Sequence, residues 1–409
     1  MHNSTKIFRL EGKVQHYAWG GTDFIPHLLH YPNPGKAPFA EYWMGAHINL
    51  PSDIIIPGKG KQPLNEFIKS DPSGILGLPA SNRFGRLPYL FKVLDVKNML
   101  SIQVHPAKKA AEKSFDAENK KGVPLDALTR NYKDDNHKPE LMYALGDFWL
   151  LHGFKSPPAL KALLQQIPEL HFLLPVFNND NYFALYQTVM TIDAEKVNSH
   201  LQPLLNRIVP LYNKGLLMKN QEDFWAARAA SLFCDNGQVD RGIFSVYFFN
   251  LVNLKAGEAI FQDAGIPHAY LEGQNMELMA NSDNVLRGGL TNKYIDVNEL
   301  IKHTKFVPVT PAIIIGRPGT VPQEKIFPTP AADFEFHEIV ADDSAPVTLT
   351  SVSADIFFVY TGQVLINSGH EKLQLKSGEA FLVTAGARVT LVTEQTSRVF
   401  RASVPLIGL

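Results

Sequence analysis

The stretches 254-LKAGEAIFQDAGIPHAY-270 and 375-LKSGEAFLVTAGARVTL-391 share one pattern, which indicates how the second half of the chain folds. Each stretch predicts a strand, a Gly-Glu turn, a second strand and then a turn of small residues. A repeated pattern of this kind suggests two related β-barrel units. A Gly-Glu hairpin is common, so the repetition supports this interpretation without establishing it.

The chain also contains other predicted strands, and a helical segment interrupts them. Short apolar runs predict strands in 87-LPYLFKVLDVKNMLSIQV-104, 139-PELMYALGDFWLLHGF-154 and 244-FSVYFFNLVNLKAGEAIFQ-262. In contrast, helical patterns occupy 157-PPALKALLQQIPEL-170, 193-DAEKVNSHLQPLLNRIVPLYNKG-215 and 221-QEDFWAARAASLFCDNG-237. Proline near the start of the first helix and Asn-Gly after the third are typical of helix boundaries.

We therefore predict a mainly β protein with a helical insertion. A chain of 409 residues exceeds the usual size of one core, so several units are expected. The predicted units are a first β domain made of residues 1–155 with 240–310, a helical insertion at 156–239, and a C-terminal β domain at 311–409.

Composition and charge narrow the class of protein. Hydrophobic residues make up 45% of the chain and charged residues 19%, as in soluble globular proteins. The net charge is −1 and no strongly basic run occurs, which argues against nucleic acid as a partner. The N-terminus lacks the apolar segment of a secretory signal, and no apolar stretch is long enough to span a membrane. The single cysteine, Cys234, fits a reducing compartment and is assigned a structural role. We expect a cytoplasmic protein without a membrane partner.

The segment 101-SIQVHP-106 carries two metal-capable side chains at alternate positions. Because successive side chains of a strand point to opposite faces, Gln103 and His105 are expected to emerge on the same face. Two such side chains on a rigid strand form half of a metal site. The alternative is a polar strand face whose histidine is satisfied by hydrogen bonds.

Two further segments supply candidate ligands. In 134-DDNHKPELMYAL-145, Pro139 excludes a continuing helix, so Glu140 is expected at the mouth of the next strand. His268 lies in 265-GIPHAYLEG-273, an apolar strand. Taken from the residues alone, the first segment could equally be a solvated charged turn, and His268 could be a hydrogen-bonded core residue.

Longer motifs, in order between Tyr17 and about Val297, resemble those of type I phosphomannose isomerases. They are YAWG (17–20), EYWMGAH (41–47), FKVLDVKNMLSIQVHP (91–106), HKPELMYAL (137–145), IPHAYLEG (266–273) and NMELMANSDNVLRGGLTNKYIDV (275–297). The resemblance implies two cupin-like β-barrel (jelly-roll) units plus a helical domain. Beyond Val309 the resemblance is looser and bears on the fold rather than on mechanism.

The resemblance also implies a metal site and a reaction. Its zinc ligands would be Gln103, His105, Glu140 and His268, with one Zn²⁺ per chain. An N/O ligand set without thiolate suits a catalytic zinc rather than a structural one. The family interconverts mannose 6-phosphate and fructose 6-phosphate, which requires ring opening and proton transfer between C2 and C1 through an enediol.

Other site residues follow from the same motifs. Arg287 matches the family's catalytic arginine, and the base is left open among His137, Lys138 and Lys92. His137 has the most suitable ordinary pKa, whereas either lysine would need a lowered pKa. Further candidates are Asp283 for ring opening or for orienting a hydroxyl, Glu277 for substrate binding, and Lys293 for phosphate. For Lys92 the alternative is a surface lysine whose stem lies along apolar neighbours.

Two rival functions belong to other classes. A cupin-type metal oxygenase would use a histidine-rich ligand set, which the glutamine and the HKPE turn argue against. A non-catalytic sugar-phosphate-binding cupin is expected to have lost Arg287 or a metal ligand. We expect a small sugar phosphate as substrate and a monomer or weak homo-oligomer, and we expect Tyr17, Trp19 and Trp43 to belong to the core.

Overall fold

The computed structural model describes residues 5–405, which form three β-sheets and a group of helices. The strands are β1 Ile7–Glu11, β2 Lys13–Gln15, β3 Glu41–Gly45, β4 Asp53–Ile56, β5 Gly60–Pro63, β6 Tyr89–Val96, β7 Gln103–Val104, β8 Glu140–Ala144, β9 Phe148–Phe154, β10 Phe249–Leu254, β11 Ala259–Gln262, β12 His268–Ala280, β13 Leu286–Arg287, β14 Ile313–Ile314, β15 Arg317–Pro318, β16 Glu324–Phe327, β17 Glu335–Ala341, β18 Val347–Thr350, β19 Asp355–Thr361, β20 Gln363–Ser368, β21 Glu371–Lys376, β22 Ala380–Val383, β23 Arg388–Val392 and β24 Ser397–Ser403. The α-helices are α1 Phe24–Leu28, α2 Leu64–Ser70, α3 Pro72–Leu76, α4 Leu78–Phe84, α5 Lys108–Lys120, α6 Pro157–Gln166, α7 Tyr182–Thr191, α8 Ala194–Asn213, α9 Glu222–Phe233, α10 Gly242–Phe248 and α11 Val297–His303, with 3₁₀ turns at Pro168–Leu173 and Asn178–Asp180.

The mainly β architecture with helices is confirmed. An 11-stranded sheet contains β2, β3 and β6–β14, and the long strand β12 crosses it, pairing with β6, β7, β8 and β9. A nine-stranded sheet has the order β15-β16-β17-β24-β19-β22-β1-β4-β5, and a four-stranded sheet has the order β18-β23-β20-β21. We call the part of the fold built on the 11-stranded sheet the first unit, and the part built on the other two sheets the C-terminal half.

The two repeated stretches form the same local structure, but their Gly-Glu turns are not hairpins. Each stretch gives strand, turn, strand, turn and strand, as expected. The strands flanking each turn pair with different partners: β10 with β9 but β11 with β8, and β21 with β20 but β22 with β19. Gly257 and Gly378, at φ +91° and +85°, turn the chain sharply at these corners. The expected hairpins are thus wrong, and the turns connect strands that pair in different ladders.

Helices α6–α9 lie within the predicted helical segment 156–239, but one predicted strand begins as a helix. The sequence from Phe244 predicts a strand, whereas the structure forms α10 up to Phe248 and continues as β10 from Phe249. All seven residues of α10 are buried. A continuous apolar run does not distinguish a buried helix from a buried strand, because neither leaves a polar face to set the period.

The N-terminal strands join the C-terminal half of the fold. Strand β1 pairs with β22, and β4 and β5 extend the same sheet. The predicted unit boundaries near residues 155, 240 and 310 stay a prediction, although this pairing attaches the first strands to the C-terminal sheet. Within the range 5–405, no helix combines the length and apolarity needed to cross a membrane.

The two faces of the 11-stranded sheet have different environments. On β6 and β12, Phe91 and Leu278 pack with Phe336 and other residues of the C-terminal half. Directly paired on the opposite face are Lys92 and Glu277. Strand alternation therefore turns a row of polar side chains toward the interior of the first unit, where the candidate site lies.

Candidate metal centre and cleft

His105, Glu140 and His268 form a compact group in the first unit. Their ligand atoms all lie within 4.8 Å of one another, and all three residues are buried. His268 begins β12, Glu140 begins β8, and His105 follows the two-residue strand β7. Three strand ends that meet in one sheet bring together residues far apart in the sequence.

Backbone carbonyls orient both histidine rings. The Nδ1 of His105 lies 2.8 Å from the carbonyl oxygen of Asn284, and the Nδ1 of His268 lies 3.0 Å from that of Ile266. A carbonyl only accepts, so each Nδ1 donates, and in the neutral ring the lone pair is then on Nε2. These Nε2 atoms lie 3.3 Å and 3.4 Å from the two carboxylate oxygens of Glu140. Among the described residues the buried Nε2 of His105 makes no hydrogen bond, so it is free to bind a cation.

The charges of the group suit a metal ion. Burial lowers the pKa of His105 to about 4 and outweighs the neighbouring Glu140, which acts in the opposite direction. Burial opposes ionisation of Glu140, but Lys138 and His105 outweigh it and hold the pKa of Glu140 well below its usual value. A neutral imidazole and an ionised carboxylate are the forms that bind metals. Two imidazole nitrogens and carboxylate oxygen fit Zn²⁺.

Gln103 lies beside this group at the edge of the sheet. Its partners across the two neighbouring strands are His268 on β12 and Arg287 on β13. Its side chain lines both a cleft of about 550 Å³ and a small cavity of about 50 Å³ that also contains Glu140 and His268. This position is compatible with a fourth ligand, and its role as a ligand stays a prediction.

Most of the predicted site residues converge on this cleft. The small cavity shares Lys92, Gln103 and Lys138 with the cleft, so the metal centre opens toward it. The cleft is also lined by Asp283, Arg287 and Lys293. Glu277 lies deeper, in the small cavity.

Lys92 is a buried cation and not a surface lysine. It is 5% exposed, and its Nζ lies 3.2 Å from Glu41 Oε2 and 3.1 Å from Glu277 Oε2. The ammonium group also lies 4.8 Å from the centre of the Trp43 ring. Burial by itself lowers the pKa of Lys92, but the two carboxylates outweigh it and raise that pKa. A base role for Lys92, which needs a lowered pKa, is not supported by this environment.

Lys138 and Glu277 both line the small cavity. The Nζ of Lys138 lies 2.9 Å from Glu140 Oε1, beside the metal group. Glu277 accepts a hydrogen bond of 3.0 Å from the hydroxyl of Tyr270. Burial raises the pKa of the Glu277 carboxyl, and Lys92 only partly offsets this effect. Both side chains can therefore contact a ligand that reaches the metal centre.

His137 points away from the cleft. Its Nε2 lies 2.9 Å from Asp333 Oδ2, in the C-terminal half of the fold, and its side chain lines neither cavity. Pro139 keeps the segment extended, so the neighbouring His137 and Lys138 project to opposite sides. His137 is one of the three candidates for the base, and its position does not support that role.

Asp283 forms a pair that the sequence analysis missed. Its Oδ2 lies 3.1 Å from the Nε2 of His47, a residue of the EYWMGAH motif. Burial raises the pKa of Asp283, but His47 outweighs it, so the pKa is lowered and the carboxylate is ionised. Glu41 of the same motif was also missed. Alternation along β3 could have indicated it, because Glu41 shares a face with Trp43.

Arg287 and Lys293 form a positive corner of the cleft. Across the described range neither side chain makes an ion pair with a carboxylate, and Arg287 is half-buried. Burial lowers the pKa of Arg287, as expected for a cation without a counter-ion. An uncompensated guanidinium and ammonium at one end of a cleft suit an anionic ligand.

The three N-terminal aromatic residues differ in environment. Tyr17 is 38% exposed, stacks on Trp19 at a centroid distance of 5.9 Å and lines the cleft, so its assignment to the core is wrong. Trp43 is buried but also lines the cleft. Trp19 is partly buried, packs against the interior cluster of the first unit and lines the cleft as well.

Comparison with known proteins identifies close relatives. The profile "Phosphomannose isomerase type I, catalytic domain" matches residues 7–157. The mannose-6-phosphate isomerase of Salmonella typhimurium is 37% identical over 92% of this chain and 94% of its own length, and the human one is 32% identical over 94% and 95%. The solved structure of the Salmonella typhimurium enzyme with fructose 6-phosphate and zinc superposes with a TM-score of 0.87 at 35% identity, covering 98% of this chain and all of that one.

Proposed function

Because the chain belongs to the type I phosphomannose isomerase family, we propose that its cleft interconverts mannose 6-phosphate and fructose 6-phosphate. The observation that carries the proposal is the buried His105–Glu140–His268 group, which opens toward a cleft with the cations Arg287 and Lys293. The enzyme is an aldose–ketose isomerase with one Zn²⁺ as cofactor. A zinc ion held by His105, Glu140 and His268 would supply positive charge that stabilises oxyanion character developing on the sugar.

The fourth zinc ligand in this proposal is Gln103. Its position between His268 and Arg287 in the sheet supports the assignment, since a side-chain amide oxygen there faces the same cavity as Glu140. The carbonyl contacts that orient His105 and His268 support zinc binding through Nε2 of both rings.

Proton transfer between C2 and C1 needs a base at the bottom of the cleft. Lys138 and Lys92 both line the cleft and the small cavity, whereas His137 lines neither. Because two carboxylates keep Lys92 cationic, we assign the base role to Lys138. The contacts of Lys92 support a fixed positive charge that holds Glu41 and Glu277 in place. We propose that Glu277, which lines the small cavity, contacts the sugar there.

Ring opening needs a group that accepts a hydroxyl proton from the cyclic sugar. Asp283 suits this step because its carboxylate is ionised, lines the cleft and is oriented by His47. At the positive corner, we propose that Arg287 stabilises negative charge that develops in the transition state. Lys293 is proposed to bind the phosphate. The cross-strand neighbour of Arg287 is Gln103, which supports a position near the reacting carbons.

The two rival functions are less compatible with the site. A dioxygen-using enzyme has no need of a cleft with an uncompensated cationic corner. A sugar-phosphate sensor would need no buried metal group opening toward the ligand, and the residues assigned to chemistry are all retained.

Three further properties belong to the proposal. The fold is proposed to contain two cupin-like barrels, supported by the matching repeats around Gly257 and Gly378. We propose a monomer or weak homo-oligomer in the cytoplasm, with a small sugar phosphate as the partner and neither nucleic acid nor membrane. The near-neutral charge of −1 and the absence of a basic run argue against nucleic acid as a partner.

A coupled isomerase assay on mannose 6-phosphate, with and without chelation, tests the proposal. Prolonged chelation should abolish turnover, and added Zn²⁺ should restore it. His268→Ala should lower bound zinc toward zero because it removes one of the buried ligand nitrogens. The control is His171→Ala, an exposed histidine of the helical insertion, which should keep zinc and activity. Full activity in metal-free protein would contradict the proposal.

A further inference from the structure

Asp240 links the turn between α9 and α10 to the chain segment that carries Arg287. It lies just before α10, and its Oδ1 accepts hydrogen bonds from the backbone N–H groups of Gly242 at 2.7 Å and Leu290 at 2.8 Å. Its Oδ2 accepts a third, from the N–H of Thr291 at 3.1 Å. One carboxylate therefore fixes three donors on two segments that are distant in sequence.

The segment after Arg287 has an unusual backbone that needs such support. Gly289 has φ +121° and Leu290 has φ +54°, and the second value lies in the left-handed region that leucine rarely adopts. A non-glycine residue in this region is strained and persists only where its surroundings hold it. The hydrogen bond from Leu290 to Asp240 acts on this residue directly.

The other side of the segment is held by the strand that carries the metal ligands. Gly288 donates to the carbonyl of Ile102 at 2.8 Å, and Ile102 donates to the carbonyl of Gly289 at 3.0 Å. Ile102 directly precedes Gln103. Hydrogen bonds to Ile102 on one side and to Asp240 on the other thus hold this segment. A change at Asp240 is therefore expected to shift the backbone that carries Arg287.

Close backbone packing makes this link rigid. A Cβ atom at Gly289 would lie 2.4 Å from the Cα of Gly242, and one at Gly242 would lie 2.6 Å from the backbone nitrogen of Leu290. The beginning of α10 and the Arg287 segment are therefore in direct backbone contact. Asp240 itself does not line the cleft. Any effect it has on turnover acts through the residues it holds.

We propose that Asp240 is a positioning residue, through which the beginning of α10 holds Arg287 and Lys293 in place relative to the metal centre. The proposal rests on the roles of Arg287 and Lys293 in the proposed function. Loss of the carboxylate frees the N–H groups of Leu290 and Thr291 and lets Leu290 relax toward negative φ. The side chains of Arg287 and Lys293, which this backbone carries, then lose their alignment with the cleft.

A double-mutant cycle tests the proposal with mannose 6-phosphate as substrate. Asp240→Ala should lower kcat by about 10- to 100-fold, because misplacement by about 1 Å can cost this much. Zinc content should stay at one ion per chain, since no metal ligand contacts Asp240. In an Arg287→Ala background the same change should lower kcat by less than about threefold, because residues that act as a unit are not additive.

The controls separate positioning from general loss of stability. Asp193→Ala removes another backbone hydrogen bond of the helical insertion, the 2.8 Å bond from the Lys196 N–H that caps α8, without touching the cleft. It should leave kcat and KM unchanged. Asp240→Asn keeps one oxygen acceptor but places an amide N–H₂ group among backbone donors, so it should give a partial loss.

Each outcome decides the proposal. Wild-type kinetics in Asp240→Ala, or equal losses with and without Arg287, would overturn it. If Asp240→Ala does not fold, Asp240→Asn replaces it in the same cycle and is judged by the same two criteria. Absence of isomerase activity in the unmutated protein would instead refute the proposed function, so the two failures are distinguishable.

Discussion

Individual side chains in the metal group depend on backbone contacts for their orientation. The carbonyls of Asn284 and Ile266 fix the tautomers of His105 and His268, and both carbonyls lie in connections between strands. Outer contacts of this kind commonly change metal affinity when they are lost. The same connection that contains Asn284 also leads to Arg287, so the metal centre and the positive corner share one segment of chain.

Arg287 should act on the transition state and contribute little to folding. Arg287→Ala should lower kcat by about 10²–10³, the usual effect of removing one preorganised donor. Zinc content and Tm should stay close to those of the unmutated protein, because Arg287 makes no ion pair within residues 5–405. Steady-state kinetics and a thermal melt check both expectations.

The matched variant for this test is Arg287→Lys. Lysine keeps the charge but loses the planar fork of the guanidinium, so substantial rescue would mean that the field matters more than the geometry. If KM rises in Arg287→Ala while kcat is unchanged, Arg287 binds substrate and transition state equally, and a catalytic role for it is wrong.

The buried neutral histidine should make the stability of the metal-free protein depend on pH. Burial lowers the pKa of His105 from 6.5 to about 4, so in the folded protein it stays neutral where the unfolded chain binds a proton. The free energy of unfolding should therefore be highest above about pH 6.5 and fall as the pH is lowered toward about 4. The expected loss between pH 7 and pH 5 is roughly 2 kcal/mol for this group.

Urea unfolding of the metal-free protein at these two pH values measures the effect. His105→Gln should show a smaller pH dependence, because the titrating ring is absent. His152 contributes in the same direction, since burial also lowers its pKa to about 4. A free energy of unfolding that does not change between the two pH values would contradict the expected neutral state of these rings.

Among the secondary-structure elements, the buried strands of the first unit supply both core side chains and side chains of the candidate site. All eight residues of β6 are buried, so its sequence lacks the apolar–polar alternation of a half-exposed strand. Its two faces nevertheless differ, because Lys92 faces Glu277 in the site while Phe91 faces the C-terminal half. A polar residue inside such a strand indicates which face looks into the site.

The two repeated corners allow a matched test of what their glycines do. Gly257 and Gly378 both have positive φ, but a Cβ at Gly378 would lie 2.0 Å from the carbonyl oxygen of Leu28, whereas at Gly257 the nearest atom is 3.9 Å away. Gly257→Ala should cost roughly 1–2 kcal/mol from backbone conformation alone. Gly378→Ala should cost distinctly more, because the backbone of Leu28 must also move. Urea unfolding of both variants measures the difference, and equal costs would contradict the steric argument.

At the scale of the whole molecule, the two ends of the chain are joined in one sheet. Strand β1 pairs with β22 from Ile7↔Val383 to Leu10↔Ala380, and one apolar cluster includes Phe8 and Leu10 together with C-terminal residues. The same cluster contains residues of the first unit. The C-terminal half is therefore completed both by the N-terminal strands and by the sheet that carries the site.

A fragment of residues 311–409 should not fold cooperatively by itself. Without β1 the strand β22 loses one of its two partners, and the aromatic residues Phe336, Phe358 and Phe400 lose the apolar surface of the first unit. Exposed edges and apolar surface of this kind favour aggregation. Gel filtration and urea unfolding, with the full chain as control, measure this. A soluble monomeric fragment with a sharp unfolding transition would show that the C-terminal half is independent.

What the sequence by itself determined is local. Alternation predicted that Gln103 and His105 emerge on one face, and helical periods predicted the helices between residues 156 and 239. The proline after Lys138 indicated that Glu140 begins a strand, as it does in β8. These inferences depend only on the geometry of neighbouring residues, which a short segment carries within itself. The motifs then added the identity of the metal and the reaction, because they combine several segments in a known order.

The tertiary structure decided what depends on partners distant in the chain. Lys92 stays cationic because Glu41 and Glu277, on two other strands, lie beside its ammonium group. His137 points away from the cleft, toward Asp333 in the C-terminal half. Likewise, the link from Asp240 to Leu290 joins segments that no local pattern relates. Charge state and contact depend on which groups surround a side chain after folding, and long-range pairing determines those surroundings.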